Sequence, residues 1–184
     1  SSCDDTSVGI IKIDLKDNLF DAENIRSKKI GLVTESQDKL HKDYGGVVPE
    51  IAARAHSEKI DACLKKVLKQ SNLEIARIDI ICVTVGPGLI GGLLSGVNFA
   101  KGLAFSMGKP LIGVNHLIGH ALTPKMTDSL SYPYLMLLAS GGHCQYLAVS
   151  GANKIKRLGT TIDDAPGEVF DKVAKMLNLP LFSG

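Results

Sequence analysis

The sequence predicts an α/β fold, and three observations lead to this class. Short β-branched or apolar runs alternate with longer segments in which apolar residues recur at three- and four-residue steps. Glycine-containing turns separate many of these segments. The composition, with 45% hydrophobic and 22% charged residues among 184, is typical of a globular chain and excludes extensive disorder. Aromatic residues make up only 5% and tryptophan is absent, so we expect an aliphatic core.

The first elements are two strands and a long helix. Val8–Ile13 and Ile30–Thr34 are β-branched runs, which are typical of strands. Pro49 suits the first turn of a helix, and apolar residues at helical spacing then continue to about Gln70. This apolar stripe includes His56.

A strand follows this helix, and further elements alternate after it. Ile78–Thr84 is a continuous apolar run, which predicts a strand buried on both faces. The later elements are a helix from Leu93 to Met107, a strand at Pro110–Val114, a helix from His116 to about Met126 capped by Asn115, strands at Tyr134–Leu138, Gln145–Val149 and Ile155–Leu158, and a helix from Pro166 to about Asn178 with Val169, Val173, Met176 and Leu177 on its apolar face.

The order of these elements indicates an internal duplication. Strand, strand and helix at the start of the chain recur from Tyr134 as two strands around a glycine turn, a third strand and a helix. On this interpretation residues 1–130 form a first lobe that lacks its leading strand, and residues 131–184 begin a second lobe.

Charge and cysteine usage limit the partners and the compartment. The net charge of +2 permits a nucleic-acid partner without requiring one. The four cysteines lack C-x-x-C spacing, which fits a reducing compartment better than a disulfide framework. Ile80–Ala100 and Ser129–Asn153 carry no Lys, Arg, Asp or Glu, but glycine and proline interrupt both stretches. Buried strands explain them better than membrane spans, and we expect no signal peptide.

His116 and His120 are the candidate metal ligands. They are four residues apart on a predicted helix, so both imidazoles lie on one face and can reach one ion. Two unrelated helical histidines are the alternative, because this spacing alone is a weak signal. A zinc peptidase is excluded on mechanism, since Leu117 stands where its catalytic glutamate is required.

Two glycine-rich segments could hold an anionic group. Ser140–His143 joins two apolar runs, and glycines let backbone N–H groups approach a phosphate closely. Gly86–Gly92 lies between a buried strand and a helix, a position suited to anion binding at the helix N-terminus. The alternatives are a plain hairpin turn for the first segment and close strand–helix packing for the second.

Four acidic residues cluster before and within the last predicted helix. Asp163, Asp164 and Glu168 suit ordinary capping of the first turn, whereas Asp171 lies further inside the helix. Asp171 is therefore the candidate functional carboxylate of this group.

Several motifs occur together in one order along the chain. They are Ser2-Cys3-Asp4-Asp5-Thr6, Tyr44-Gly45-Gly46-Val47-Val48-Pro49-Glu50, Gly86-Pro87-Gly88-Leu89, His116 with Gly119-His120, Ser140-Gly141-Gly142-His143, Asp163-Asp164-Ala165, Gly167-Glu168 and Phe170-Asp171-Lys172. Taken together, these motifs resemble the TsaD family of bacterial and organellar tRNA threonylcarbamoyladenosine transferases, once misnamed glycoproteases. The resemblance covers essentially the whole chain.

The resemblance implies an actin-like (ribonuclease H-like), duplicated ATPase fold with a nearly complete first lobe and a truncated second lobe. It implies an acyltransferase that moves the threonylcarbamoyl group from threonylcarbamoyl-AMP to N6 of adenosine 37 in tRNAs reading codons that start with A. His116 and His120 would bind one divalent ion, iron in the first place and zinc as the alternative. The implied substrate-binding positions are Leu138, Ala139, Ser140, Gly141, Gly142, Asp171 and Gly184.

The resemblance also implies partners and a compartment. The partners would be tRNA, the adenylate substrate, and either accessory subunits or a second copy of the chain, with no membrane. The compartment would be the bacterial cytoplasm, with the mitochondrial matrix as the alternative.

Two departures from the family pattern limit the expected activity. Ile118 stands where the family carries a glutamate, and the family continues beyond Gly184 through a second lobe that would supply a further metal ligand. We therefore expect the isolated 184-residue chain to bind metal weakly and not to turn over. A degenerate binding subunit, or a small-molecule kinase on the same fold, are the alternatives.

Overall fold

The computed structural model describes residues 1–14, 26–44, 46–128, 130–140 and 142–179, and these alternate strands with helices as predicted. The strands are β1 (Thr6–Asp14), β2 (Arg26–Glu35), β3 (Ile81–Gly86), β4 (Leu111–Asn115), β5 (Tyr134–Ala139), β6 (Cys144–Gly151) and β7 (Lys154–Thr160). The helices are α1 (Asp38–His41), α2 (Pro49–Ser71), α3 (Ile90–Met107), α4 (His116–Thr127) and α5 (Pro166–Met176).

The chain divides into two units, each with its own core. The first comprises Ser1–Ile13, Ser27–His41 and Val47–His116. The second comprises the described parts of Asp14–Arg26, Lys42–Gly46 and Leu117–Gly184. The lobe boundary between residues 130 and 131 stays a prediction.

The first core of unit one forms between α2 and the β1–β2 pair. Cys63 and Val67 on α2 pack against Ile10 and Val33, and all four side chains are buried. The stripe has helical spacing because i, i+3 and i+4 positions share one helix face. Pro49 stands at the predicted helix start. Asn72, in the left-handed conformation that Asn tolerates, ends α2.

Replacing Val67 by alanine should lower the free energy of unfolding by about 1–3 kcal/mol. The side chain is fully buried, so the substitution removes apolar contacts and leaves a cavity. Urea denaturation followed by circular dichroism measures this loss. An unchanged unfolding midpoint would contradict the assignment of Val67 to the core.

The second core of unit one lies between α3 and a parallel strand pair. β3 pairs with β4 in the register Ile81↔Leu111, and Ile81 packs with Ala100 and Ala104 of α3. The expectation that this strand is buried on both faces is wrong, because Cys82 is exposed and Val85 is 52% exposed. In the described part of the chain the α3 core involves only alternate residues of β3.

Unit two holds a three-stranded antiparallel sheet in the order β5-β6-β7. Leu138, Leu147 and Val149 pack with Ala121 of α4 in a buried cluster. The Tyr134 hydroxyl donates a hydrogen bond to the backbone carbonyl of Ala121 at 2.6 Å. These contacts hold α4 against the sheet.

Helix α5 keeps its apolar stripe but does not bury it. Val169, Val173, Met176 and Leu177 are all exposed, Met176 at 82%. No residue of α5 is buried, so the predicted apolar spacing is present while the apolar side chains stay exposed. None of the helices described here is both long enough and apolar enough to cross a membrane.

Candidate functional site

The histidine pair lies at the start of α4, directly after β4. His116 is the first residue of the helix, and His120 follows one turn later, so both lie on one face. His120 is exposed and His116 is half-buried, whereas Ala121 of the same helix is buried against the sheet. One side of the helix is therefore buried against the sheet, and the two imidazoles lie outside that buried side.

The donor chemistry of this pair fits a transition metal, but the pair supplies only part of a site. Imidazole nitrogens suit iron and zinc, which take four or more ligands in proteins. The described residues contain no group of three His, Cys, Asp or Glu side chains placed to hold an ion. The remaining ligands would come from outside the described residues, and His116 and His120 would hold the ion from one side.

Ser140–His143 is a tight hairpin between β5 and β6. The Ser140 backbone N–H donates to the His143 carbonyl at 2.7 Å, and the His143 backbone N–H donates to Ser140 Oγ at 3.1 Å. A side chain added at Gly142 would meet no atom within 4 Å. Gly142 is therefore not required by packing, and its backbone is open to an approaching ligand.

The implied substrate positions differ in what they can offer. Leu138 is 3% exposed and belongs to the core, so any contact from it with a ligand would come through backbone atoms. Ala139 is exposed and Ser140 is half-buried. Gly141 and Gly184 lie outside the described residues.

Asp171 is half-buried on α5, and its acidic neighbours have structural partners. Asp164 forms an ion pair with Lys172, and its carboxylate raises the pKa of the Lys172 ammonium group. Glu168 lies in the first turn of α5, where an acidic residue favours the helix dipole. Asp171 itself stays a candidate.

The Gly86–Gly92 segment serves packing within unit one. The Leu89 backbone N–H donates to the Ser2 carbonyl at 2.8 Å. A Cβ at Gly88 would lie 2.5 Å from that same carbonyl oxygen, and one at Gly92 would lie 2.8 Å from the Ser1 carbonyl oxygen. Close approach to the backbone of Ser1 and Ser2, and not the strand–helix packing weighed from the sequence, therefore accounts for Gly88 and Gly92.

Sequence reasoning missed a buried polar cluster in unit one. His56, Gln37 and Thr6 are each fully buried, and His41 nearly so. His56 Nε2 lies 2.9 Å from the Cys3 carbonyl oxygen, and its Nδ1 lies 2.7 Å from Thr6 Oγ1. The one available signal was a histidine inside an apolar helical stripe, which needs a partner when buried.

Stability should fall as the pH drops below about 6.5, in part because of His56. Burial lowers the pKa of His56 from its usual 6.5, with Lys59 acting in the same direction. The Cys3 carbonyl and the Asp4 carboxylate act against this shift. Below the usual value the unfolded chain takes up a proton that the folded chain resists, so protonation favours unfolding.

Urea midpoints measured across this pH range check the prediction, with His56→Gln as the reference chain. The wild type should lose more stability on acidification than the variant, which has no imidazole at this position. Parallel curves for the two proteins would contradict it.

The chain is similar to known proteins over most of its length. The family model described as "TsaD: tRNA N6-adenosine threonylcarbamoyltransferase" matches residues 28–184. A tRNA N6-adenosine threonylcarbamoyltransferase from Cereibacter sphaeroides is 56% identical over 180 residues, which cover 98% of this chain and 47% of the relative. One of the same name from Paracoccus denitrificans is 57% identical over the same shares.

Solved structures resemble the chain in fold. YeaZ from Pseudomonas aeruginosa aligns with a TM-score of 0.51 and 17% identity, covering 90% of this chain and 64% of that one. The likeness confirms the predicted α/β fold of the actin-like type. This chain spans about half the length of the curated relatives it matches. From the family match and the level of identity, the chain belongs to the TsaD family of tRNA N6-adenosine threonylcarbamoyltransferases.

Proposed function

We propose that the complete protein transfers the threonylcarbamoyl group from threonylcarbamoyl-AMP to N6 of adenosine 37 in tRNAs that read codons starting with A. The observation that best supports this proposal is the histidine pair at the start of α4, a helix whose Ala121 is buried in the core. Family membership identifies the class of reaction, and this pair supplies residues of this chain for it.

The chemistry needs an acceptor, an activated donor and a leaving group. The adenine N6 amine attacks the carbamoyl carbon, the bond from that carbon to the adenylate phosphate oxygen breaks, and AMP leaves with the electron pair. The attacking nitrogen loses one of its two protons to solvent water, and no protein nucleophile is required. A divalent ion held by His116 and His120, iron in the first place, would supply Lewis-acid polarisation when bound.

The hairpin between β5 and β6 is the proposed holder of the adenylate. Open space around Gly142 lets its backbone N–H face an anionic group. The Ser140 hydroxyl donates to the His143 carbonyl at 3.2 Å and so holds the shape of the hairpin. Asp171 is proposed as a further substrate contact. We also propose that the protein works with accessory subunits. The bacterial cytoplasm is its proposed compartment, since the curated relatives are bacterial.

The test is threonylcarbamoyl transfer by the longest chain that the source gene encodes. The assay contains tRNA, threonylcarbamoyl-AMP and any accessory subunits, with His116→Ala as the control. Transfer that disappears in the control supports the proposal. A complete, folded and inactive protein would contradict it.

Ile118 favours a second candidate, a non-catalytic binding subunit. This residue is 41% exposed between the two histidines, at the position where the family pattern has a carboxylate. Losing a carboxylate near a metal site commonly lowers affinity by 10–100-fold. Weak metal occupancy together with intact tRNA binding in the complete protein would select this candidate.

A further inference from the structure

A directed chain of hydrogen bonds runs through unit one, and its first end is the backbone of Val48. The Val48 N–H lies 3.2 Å from His41 Nδ1 and can only donate, so Nδ1 accepts and carries no proton. The proton of this neutral ring is then on Nε2, which donates to Gln37 Oε1 at 3.2 Å. The Gln37 amide is thereby oriented with its NH₂ group toward the rest of the cluster.

The second end of the chain is the Cys3 carbonyl, which can only accept. His56 Nε2 lies 2.9 Å from that oxygen and therefore carries a proton. The Gln37 NH₂ group lies 3.4 Å from Thr6 Oγ1 and donates to it. The Thr6 hydroxyl proton is then free to donate to His56 Nδ1, across 2.7 Å.

Both ends therefore impose the same direction on every link. His41 and His56 must each be neutral and protonated on Nε2, because protonated Nδ1 atoms would face the Val48 N–H and the Gln37 NH₂ group. The Gln37 nitrogen also lies 3.4 Å from His56 Nδ1, so a second proton there would place two donors against each other. In a buried cluster, such a mismatch costs more than the single hydrogen bond.

This chain of hydrogen bonds holds the turn Ser2–Thr6 in place. His56 holds its Cys3 carbonyl, Cys63 Sγ lies 3.7 Å from the Thr6 carbonyl oxygen, and the Leu89 N–H donates to the Ser2 carbonyl. The turn carries two adjacent carboxylates, of which Asp4 is half-buried and Asp5 is exposed. The other end of the hydrogen-bond chain is Val48, the residue before α2. Residues of three sequence motifs therefore meet here, namely those that contain Ser2–Thr6, Val48 and Leu89.

We propose that His41 and His56 are positioning residues for the transfer reaction, which fix the Ser2–Thr6 turn and the direction of its carboxylates. This inference rests on the proposed function, because a positioning role has meaning only in an active transferase. The two residues act through the turn and are not placed in contact with substrate.

Kinetics of the complete protein test the proposal with a set of matched variants. His56→Gln keeps the donor to Cys3 and removes the ring acceptor, and Thr6→Val removes the hydroxyl while Thr6→Ser retains it. Val67→Ala is the control, since it weakens the core beneath the same helix and removes none of the hydrogen bonds described above. We expect kcat to fall on the order of 10- to 100-fold for His56→Gln and Thr6→Val, with little change in KM for tRNA.

The two remaining variants decide between positioning and general loss of stability. Thr6→Ser and Val67→Ala should keep kcat close to that of the wild type, below their unfolding temperatures. A loss of kcat in Val67→Ala equal to that in His56→Gln would overturn the proposal. So would unchanged kcat in Thr6→Val.

Nitrogen-15 NMR of labelled histidine in the wild type gives a readout that does not depend on activity or on variants that fold. His41 and His56 should both show the Nε2–H tautomer, the form that the directed hydrogen bonds require. A ring that carries its proton on Nδ1 would overturn the directed chain of hydrogen bonds. Absence of transfer by the wild type would instead overturn the proposed function, whatever the NMR shows.

Discussion

Replacing His116 by alanine in the complete protein should lower the affinity for divalent iron by more than about 100-fold, and the transfer rate by a comparable factor. Removing a residue that only supports a ligand already costs 10–100-fold, and the loss of a ligand itself should exceed this. His120→Ala should behave in the same way, because the two imidazoles share one face of α4. Metal content after dialysis and single-turnover transfer measure the two effects.

Thr123→Ala is the matched control for the histidine variants. Thr123 is exposed on the same helix, and its hydroxyl donates to the Gly119 carbonyl of that helix at 2.9 Å. The control should bind metal and transfer at nearly the wild-type level. Full metal binding by both histidine variants would remove the pair from the site, while equal losses in the control would attribute the effect to the helix.

Replacing Gly88 by alanine should destabilise unit one by roughly 2–4 kcal/mol. Two penalties combine, because the backbone φ of Gly88 is +157° and an added Cβ would lie 2.5 Å from the Ser2 carbonyl oxygen. That oxygen belongs to the backbone and accepts a hydrogen bond from the Leu89 N–H, so it cannot move without losing this bond. Urea denaturation of the variant and the wild type measures the loss.

Gly102→Ala provides the opposite expectation on the neighbouring helix. Gly102 lies within α3 and is exposed, and an added Cβ would meet no heavy atom within 4 Å beyond its chain neighbours and the nearby helix backbone. Alanine there should stabilise α3 by up to about 1 kcal/mol, because glycine is the poorer helix former.

Equal midpoints for Gly88→Ala and the wild type would show that the Ser2–Leu89 contact is absent in solution.

The elements themselves were readable because they depend on local spacing and on turn residues. α2 begins at the predicted Pro49, and α4 begins at the predicted His116. Spacing of three and four residues describes one helix face, and this relation is independent of what covers the face. The same relation applies to α5, where the predicted apolar spacing is present although the side chains are exposed.

Burial and partners depend on chain segments far apart in sequence, so spacing could not supply them. The continuous apolar run Ile78–Thr84, which predicted a strand buried on both faces, contains Ile80, which is 50% exposed in the structure. His56 pairs with Thr6, fifty residues earlier, and Gly88 meets Ser2 across an even longer interval. Neither contact follows from helix or strand periodicity.

The sequence by itself determined the family, the α/β class, and the histidine pair as one face of a helix, because each of these rests on residue order or local geometry. Only the tertiary structure decided that Leu138 points into a core, that Gly88 and Gly92 serve a close backbone approach, and that the buried His56 ring faces the Cys3 carbonyl. The physical reason is that burial and hydrogen-bond direction are properties of neighbours in space. A buried donor or acceptor takes its role from the group opposite it, which the linear sequence does not identify.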